Sequence, residues 1–172
     1  MSNKSRVNDR GTGFQPVNPF KSVELGNRKR NLPHLQTPKA TYFVTFRCCS
    51  RFTLPEPARE IVLSAIRHWD GRRIELDAVV VMPDHAHAVF RVLDGSDLSV
   101  ILHSIKSFSA GAVNRMLSRR GNVWLDESFD HIIRHEQEWD ETLAYVRNNP
   151  VKRGLAKDWN DYPWTWPKAG GA

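Results

Sequence analysis

Residues 74–92, IELDAVVVMPDHAHAVFRV, constrain the fold more tightly than any other stretch of the chain. Two runs dense in β-branched and apolar residues, Ile74–Met82 and His85–Val92, are separated only by Pro83-Asp84. A parallel crossover needs a dozen or more residues, so these two strands must pair antiparallel around a tight turn. Upstream, TYFVTFRC from Thr41 has the composition of another strand. Between them, after Pro55 and Pro57, Ile61, Ala65, Ile66 and Trp69 fall at helical spacing, and Gly71 closes that helix. Downstream, Ser96 or Asp97 caps a long helix reaching about Arg119, with Ile101, Ile105, Phe108, Ala112 and Leu117 on or near its buried stripe.

Gly121-Asn122 stops that helix, and Val123–Leu125 and Phe129–Arg134 read as short extended pieces. A last helix runs from about Glu136 and is expected to end before Pro150. The order β-α-β-β-α-β-α predicts an α+β fold, an antiparallel sheet of four to five strands with helices on one face. Tyr42 belongs to the core of this scheme. After Leu155, Trp159, Tyr162, Trp164 and Trp166 stand among prolines and are expected to pack over the body without regular structure.

Charge separates the chain into two parts. Of 25 basic residues, seven (Lys4, Arg6, Arg10, Lys21, Arg28, Lys29 and Arg30) lie in residues 1–35 against Asp9 and Glu24, so +5 of the +6 net charge is there. The remaining 18 basic and 17 acidic residues nearly cancel. A basic arm on a neutral body suits either contact with a polyanion or a solubilising tail. With 172 residues, one domain is expected, and no apolar stretch approaches the ~20 residues a membrane span needs. The adjacent Cys48 and Cys49 are poorly placed for a structural disulfide and too few for a zinc site. With no apolar run behind the basic start, the expectation is a cytoplasmic protein without a secretory signal.

Two places carry chemistry. In a strand, i and i+2 share a face, so His85 and His87 project side by side just past the turn while Ala86 faces inward. Two such imidazoles are either ligands of one divalent ion or half-exposed strand histidines. On the last helix, Trp139, Leu143 and Val146 form the core stripe, and Tyr145 and Asn149, four apart, lie one above the other on its flank. That pair is either a nucleophile beside a third metal ligand, or a packed tyrosine and a helix-ending asparagine. His34, His68 and His103 are expected to be structural or exposed, and His131 or His135 is an alternate ligand.

Pro83-Asp84-His85-Ala86-His87, followed by Tyr145-Val146-Arg147-Asn148-Asn149-Pro150-Val151-Lys152-Arg153-Gly154-Leu155, resembles the single-tyrosine HUH transposases of the IS200-like family, and within them the REP-associated tyrosine transposases. Arg30–His34, Tyr42–Arg47, Lys106–Ser109 and Trp124–Asp130 carry the resemblance along most of the chain. The sequence departs from the family at Asp84, where Asn is usual, and at Ala86, where a larger aliphatic is usual. Neither departure removes a ligand or the nucleophile.

The resemblance implies a ferredoxin/RRM-like HUH domain over residues 28–156, with 1–27 as an N-terminal arm and 157–172 as a Trp/Pro-rich tail. It implies a metal-dependent nickase and transposase that cleaves and rejoins single-stranded DNA through a 5′-phosphotyrosine intermediate. Tyr145 is then the nucleophile and His85, His87 and Asn149 the ligands of Mg²⁺ or Mn²⁺. A phenol is a weak nucleophile at neutral pH, and the metal's task is to polarise the phosphate. Because the phosphotyrosine bond conserves the energy of the broken one, rejoining needs no high-energy cofactor. The implied partner is a palindromic, REP-like DNA hairpin, contacted through Arg28, Lys29, Arg30, Lys106, Arg115, Arg119, Arg120, Lys152 and Arg153, by a monomer or homodimer. The competing readings are a domesticated hairpin-binding protein with little catalysis and a His-x-His metallohydrolase.

Overall fold

In a computed structural model that describes residues 40–167, five strands form one sheet in the order β4-β1-β3-β2-β5. The chain runs β1 (Thr41–Cys48), α1 (Glu56–Arg67), β2 (Ile74–Val81), β3 (His85–Val92), α2 (Leu98–Met116), β4 (Trp124–Ile133) and α3 (Glu136–Lys152). A single 3₁₀ turn at Trp159–Asp161 then leads to the two-residue β5 (Thr165–Trp166). β3 pairs antiparallel with both β1 and β2, so β1 and β2 run in the same direction on either side of it. This is the βαββαβ arrangement of ferredoxin-like domains, and it satisfies the predicted α+β class. The arm, Arg28, Lys29, Arg30 and His34 lie outside the described residues, as do the last five residues of the tail. Among the described residues no helix is long and apolar enough to cross a membrane.

The hairpin falls where the sequence puts it: Met82 N–H donates to His85 O at 2.8 Å across Pro83-Asp84. Strand alternation divides the sheet into two unlike faces. Phe46, Ala86 and Ala88 point to one, and Phe46 meets the Trp124 ring edge-on at 4.9 Å. Trp124 Nε1 donates to Ser109 Oγ on α2 at 3.0 Å, which fixes α2 beneath this face, and α1 packs beside α2. The expected layer of helices on one face is thus α1 and α2. α3 crosses the opposite face, where Tyr145 contacts Phe43 and His87.

Several boundaries differ from the expectation for identifiable reasons. The two extended pieces after Gly121 form one strand, β4, interrupted by a bulge opposite Arg47. α3 continues through Pro150 to Lys152, because proline in the last turn removes only one backbone hydrogen bond while Arg153 N–H still donates to Asn149 O. α2 ends at Met116, so Arg119 and Arg120 lie beyond the helix. Phe108 is 61% exposed, since the stripe runs through Ile101, Ile105, Ser109 and Val113 and leaves Phe108 at its edge. Leu117 is also exposed, beyond the helix end. Asp97 is the α2 cap, accepting from the N–H groups of Ser99 and Val100.

The tail also acquires regular structure. β5 pairs with β2, and Arg59 and Arg67 of α1 stack over Trp164 and Trp166 at 3.8 and 4.2 Å. Tyr42 is buried in the core, as expected.

Ser109 and Trp124 are both buried, so Ser109→Ala leaves an indole N–H unpaired and lowers stability by about 1–3 kcal/mol. Urea unfolding should show that Ser109→Ala/Trp124→Phe costs less than the sum of the two single changes. Additive losses would mean the hydrogen bond contributes nothing.

Candidate active site

The face covered by α3 carries Phe43, Thr45 and Arg47 of β1 and His85 and His87 of β3, because Thr45 pairs with His87 and Arg47 with His85. The two imidazoles lie 4.6 Å apart, ring centre to ring centre, with 7% and 5% of their surface exposed. Each has one nitrogen engaged. His87 Nδ1 bonds Thr45 Oγ1 at 2.7 Å, and His85 Nδ1 bonds the Asp84 carboxylate at 2.7 Å. In both rings Nε2 is the remaining ligand atom; the Asp84 carboxylate accepts from His85 Nδ1–H and so fixes that tautomer, while Thr45, able to donate or accept, fixes the orientation of His87.

Burial lowers the His87 pKa well below its ordinary value, and the neighbouring His85 and Arg47 push it further down. Burial also lowers that of His85, against an opposing pull from Asp84. Both rings are therefore neutral at pH 7, and the His85–Asp84 contact is a hydrogen bond rather than an ion pair. Burial alone would raise the Asp84 carboxyl, but hydrogen bonds from His85 and Arg153, with the Arg153 charge, hold it below the usual carboxylate range.

α3 is held against this face at both ends of one helical row. Tyr145, half-buried, meets the His87 ring at 5.4 Å and Phe43 at 6.1 Å. Two turns on, Arg153 grips both oxygens of Asp84 at 3.0 and 3.2 Å. Asn149 is on the turn between, four residues from each, and is 7% exposed. A helix advances about 6 Å in four residues, so Tyr145, Asn149 and Arg153 form one row, whose first member meets His87 and whose last meets Asp84.

Among the described residues no three His, Cys, Asp or Glu side chains gather into a cation site. The third donor expected from the sequence, the Asn149 amide, is of another kind. Two neutral imidazoles with oriented Nε2 atoms and one amide oxygen suit a divalent ion with open coordination positions.

The other expected residues sort differently. Lys152 Nζ lies 5.1 Å from the centre of the Tyr145 ring, beside the site. Lys106 is half-buried, and its ammonium donates to Leu125 O, Asp126 O and Ser128 Oγ, which ties α2 to the β4 bulge. Arg119 stacks on Phe52 and donates to Asn122 O. Arg115 and Arg120 are exposed at and beyond the end of α2, on the far face from the histidines. His131 bonds Glu138 and His135 caps α3, so both secure the start of the helix. His68 and His103 are exposed. Sequence reading missed Thr45 and Arg47 as site residues. Their place opposite the histidine pair follows only from the β1–β3 register.

Residues 38–149 match the family described as Transposase IS200 like. The chain belongs to this family. It is 30% identical over 95 residues, 55% of its length, to the REP-associated tyrosine transposase of Escherichia coli (strain K12). It also superposes on a REP-associated tyrosine transposase solved bound to a REP hairpin, with a TM-score of 0.67 and 26% identity over 78% of this chain and 80% of that one. The chain spans about half the length of the curated relatives it matches.

The depressed histidine pKa values have a sign that can be tested. Below about pH 6.5 the unfolded chain takes up protons that folded His85 and His87 refuse, so stability is complete above that pH and falls as pH drops toward the folded values. Urea unfolding between pH 7 and pH 5 should show this fall. His87→Gln should reduce its slope by up to one proton, and an unchanged slope would contradict a buried neutral His87.

Proposed function

We propose that this IS200-like protein cleaves and rejoins single-stranded hairpin DNA through a covalent bond to Tyr145. The observation that carries the reading is the contact of the Tyr145 ring with His87 on a helix tied to Asp84 by Arg153. The hairpin as substrate is supported by the relative solved with a REP hairpin.

In this reading the Tyr145 hydroxyl attacks a backbone phosphorus. The new P–O bond joins tyrosine to the 5′ phosphate, the bond to the 3′ oxygen breaks, and that oxygen leaves as a hydroxyl, the proton it takes up balancing the one the phenol gives up. His85 and His87, through Nε2, and Asn149, through its amide oxygen, are the residues that would hold Mg²⁺ or Mn²⁺. When bound, such an ion polarises the phosphodiester and neutralises charge developing on its oxygens. Thr45 and Asp84 keep the two imidazoles aimed. Phe43 packs edge-on against the tyrosine ring and limits its swing. Lys152 brings a positive charge to the tyrosine, where a phosphate must approach.

Asp84 supports the same reading in place of the family's usual Asn. Its carboxylate fixes His85 and Arg153 at once, joining the metal side of the site to the end of the nucleophile's helix. Removing such a partner typically weakens metal binding by about 10–100-fold. Asp84→Ala should therefore weaken Mn²⁺ binding by that order in a calorimetric titration, with Asp84→Asn nearer the parent. Equal affinity in all three proteins would remove Asp84 from the scheme.

Incubation with hairpin-bearing single strands and Mg²⁺ or Mn²⁺ should give a protein–DNA adduct that survives a denaturing gel. Tyr145→Phe should abolish it while leaving hairpin binding intact. Tight hairpin binding by the parent protein with no adduct would replace this reading with a hairpin-binding protein without catalysis. Failure to bind hairpins at low salt would overturn both.

A further inference from the structure

Arg47 stands on the histidine face, and none of the contacts described so far accounts for it. It pairs across the sheet with His85 and therefore shares its face. On its other side β4 offers no partner. The register passes from Phe46↔Ser128 directly to Cys48↔Trp124, so Leu125, Asp126 and Glu127 bulge out opposite this one residue. Bulges re-aim side chains and gather beside active sites. This one is fastened from behind by Lys106, which donates to Leu125 O and Asp126 O at 2.7 Å.

The neighbours Phe46 and Cys48 are buried, and Cys48 N–H donates to Asp84 O at 2.9 Å. The backbone under Arg47 is thus fixed while its side chain is exposed. The guanidinium is close enough to act electrostatically on both His85 and His87. Among the described residues no carboxylate pairs with it, although Asp84, across the turn, takes Arg153. An exposed cation on a fixed backbone, with no carboxylate partner among the described residues and beside two neutral imidazoles, offers an anion a position on the strand side of the histidine pair.

We infer that Arg47 is a catalytic residue that grips a non-bridging oxygen of the scissile phosphodiester from the β1 side, opposite the approach of Tyr145. The inference rests on the DNA-cleavage reading above. A guanidinium fork matches phosphate oxygens better than an ammonium does, and a donor aimed at developing charge acts mainly on the rate. Lys152 approaches from α3, so the phosphate is held between sheet and helix.

The test compares parent, Arg47→Gln, Arg47→Lys and Tyr145→Phe, each checked for an unchanged melting temperature. Two quantities are measured: the single-turnover rate of adduct formation, and the hairpin Kd. Arg47→Gln should lower the rate by about 10²-fold or more and change Kd by less than about threefold. Arg47→Lys should be intermediate, and added guanidinium should restore part of the Arg47→Gln rate. Adduct formation at the parent rate in Arg47→Gln, with Tyr145→Phe inactive, overturns this inference alone. An equal loss of rate and affinity also overturns it, making Arg47 a general DNA-holding cation. If the parent protein forms no adduct, the cleavage reading fails and this role for Arg47 fails with it.

Discussion

At Pro83-Asp84 the chain reverses with both turn carbonyls engaged by other segments. Leu54 N–H donates to Pro83 O at 2.7 Å and Cys48 N–H to Asp84 O at 2.9 Å. The Asp84 side chain meanwhile reaches His85 on one side and Arg153 on the other. Two residues thereby join the end of β1, the lead-in to α1, the β2–β3 hairpin and the C-terminal end of α3. The turn's brevity is what makes this possible, since a longer loop would carry its polar groups into solvent and free the first histidine from its register with Arg47. The position of the two histidines is consequently a property of the sheet itself, and rigid elements hold such constellations better than loops do.

The sheet's second face explains why α3 exists where it does. Strand alternation gives α1 and α2 an apolar surface of Phe46, Ala86 and Ala88, a good hydrophobic partner that requires only small residues on β3. The opposite surface mixes Phe43 with Thr45, Arg47 and two histidines. A helix laid on it must bring polar groups of its own and be pinned at intervals. α3 is pinned by Trp139 Nε1 to Asp77 at 3.1 Å, by Glu138 to His131 at 2.7 Å, by Arg153 to Asp84, and by stacking of Arg147 on Trp159. Contacts of this kind, part-buried or exposed, add little net stability, but their directional geometry favours one placement of the helix. They hold the helix so that Tyr145 meets His87 and Arg153 meets Asp84.

The strand half of this arrangement was legible in the sequence because it depends on short-range rules. Alternation, a two-residue turn and an Asp97 cap are each decided within a few residues, and β1, the hairpin and the start of α2 follow from them. The helix half was legible in part. Spacing of four put Tyr145 and Asn149 on one flank, but Pro150 suggested a stop, and only its place in the last turn makes the missing N–H tolerable. Phe108 and Lys106 show the reverse error. An aromatic at the edge of a stripe and a lysine on a helix look like core and surface. The Ser109–Trp124 hydrogen bond and the carbonyls of the β4 bulge instead decide that Phe108 faces water and Lys106 bends onto β4. Thr45 and Arg47 were invisible as site residues because their relevance lies in a cross-strand register forty residues away.

That redistribution of lysines and arginines bears on how a nearly neutral body could engage a polyanion. Residues beyond 35 carry 18 basic and 17 acidic side chains, so no broad positive field surrounds the domain. Several of its cations are already occupied, with Lys106 on backbone carbonyls and Arg59 and Arg67 on tryptophan rings. Those left near the histidine face are few and come from two directions, Arg47 from the sheet and Lys152 from the helix. At physiological salt, charges more than about 8 Å from a phosphate are largely screened. Attraction within the described domain must therefore come from cations that reach the phosphate itself. The β1 register, the β4 bulge and the Asp84–Arg153 bond together decide which cations those are.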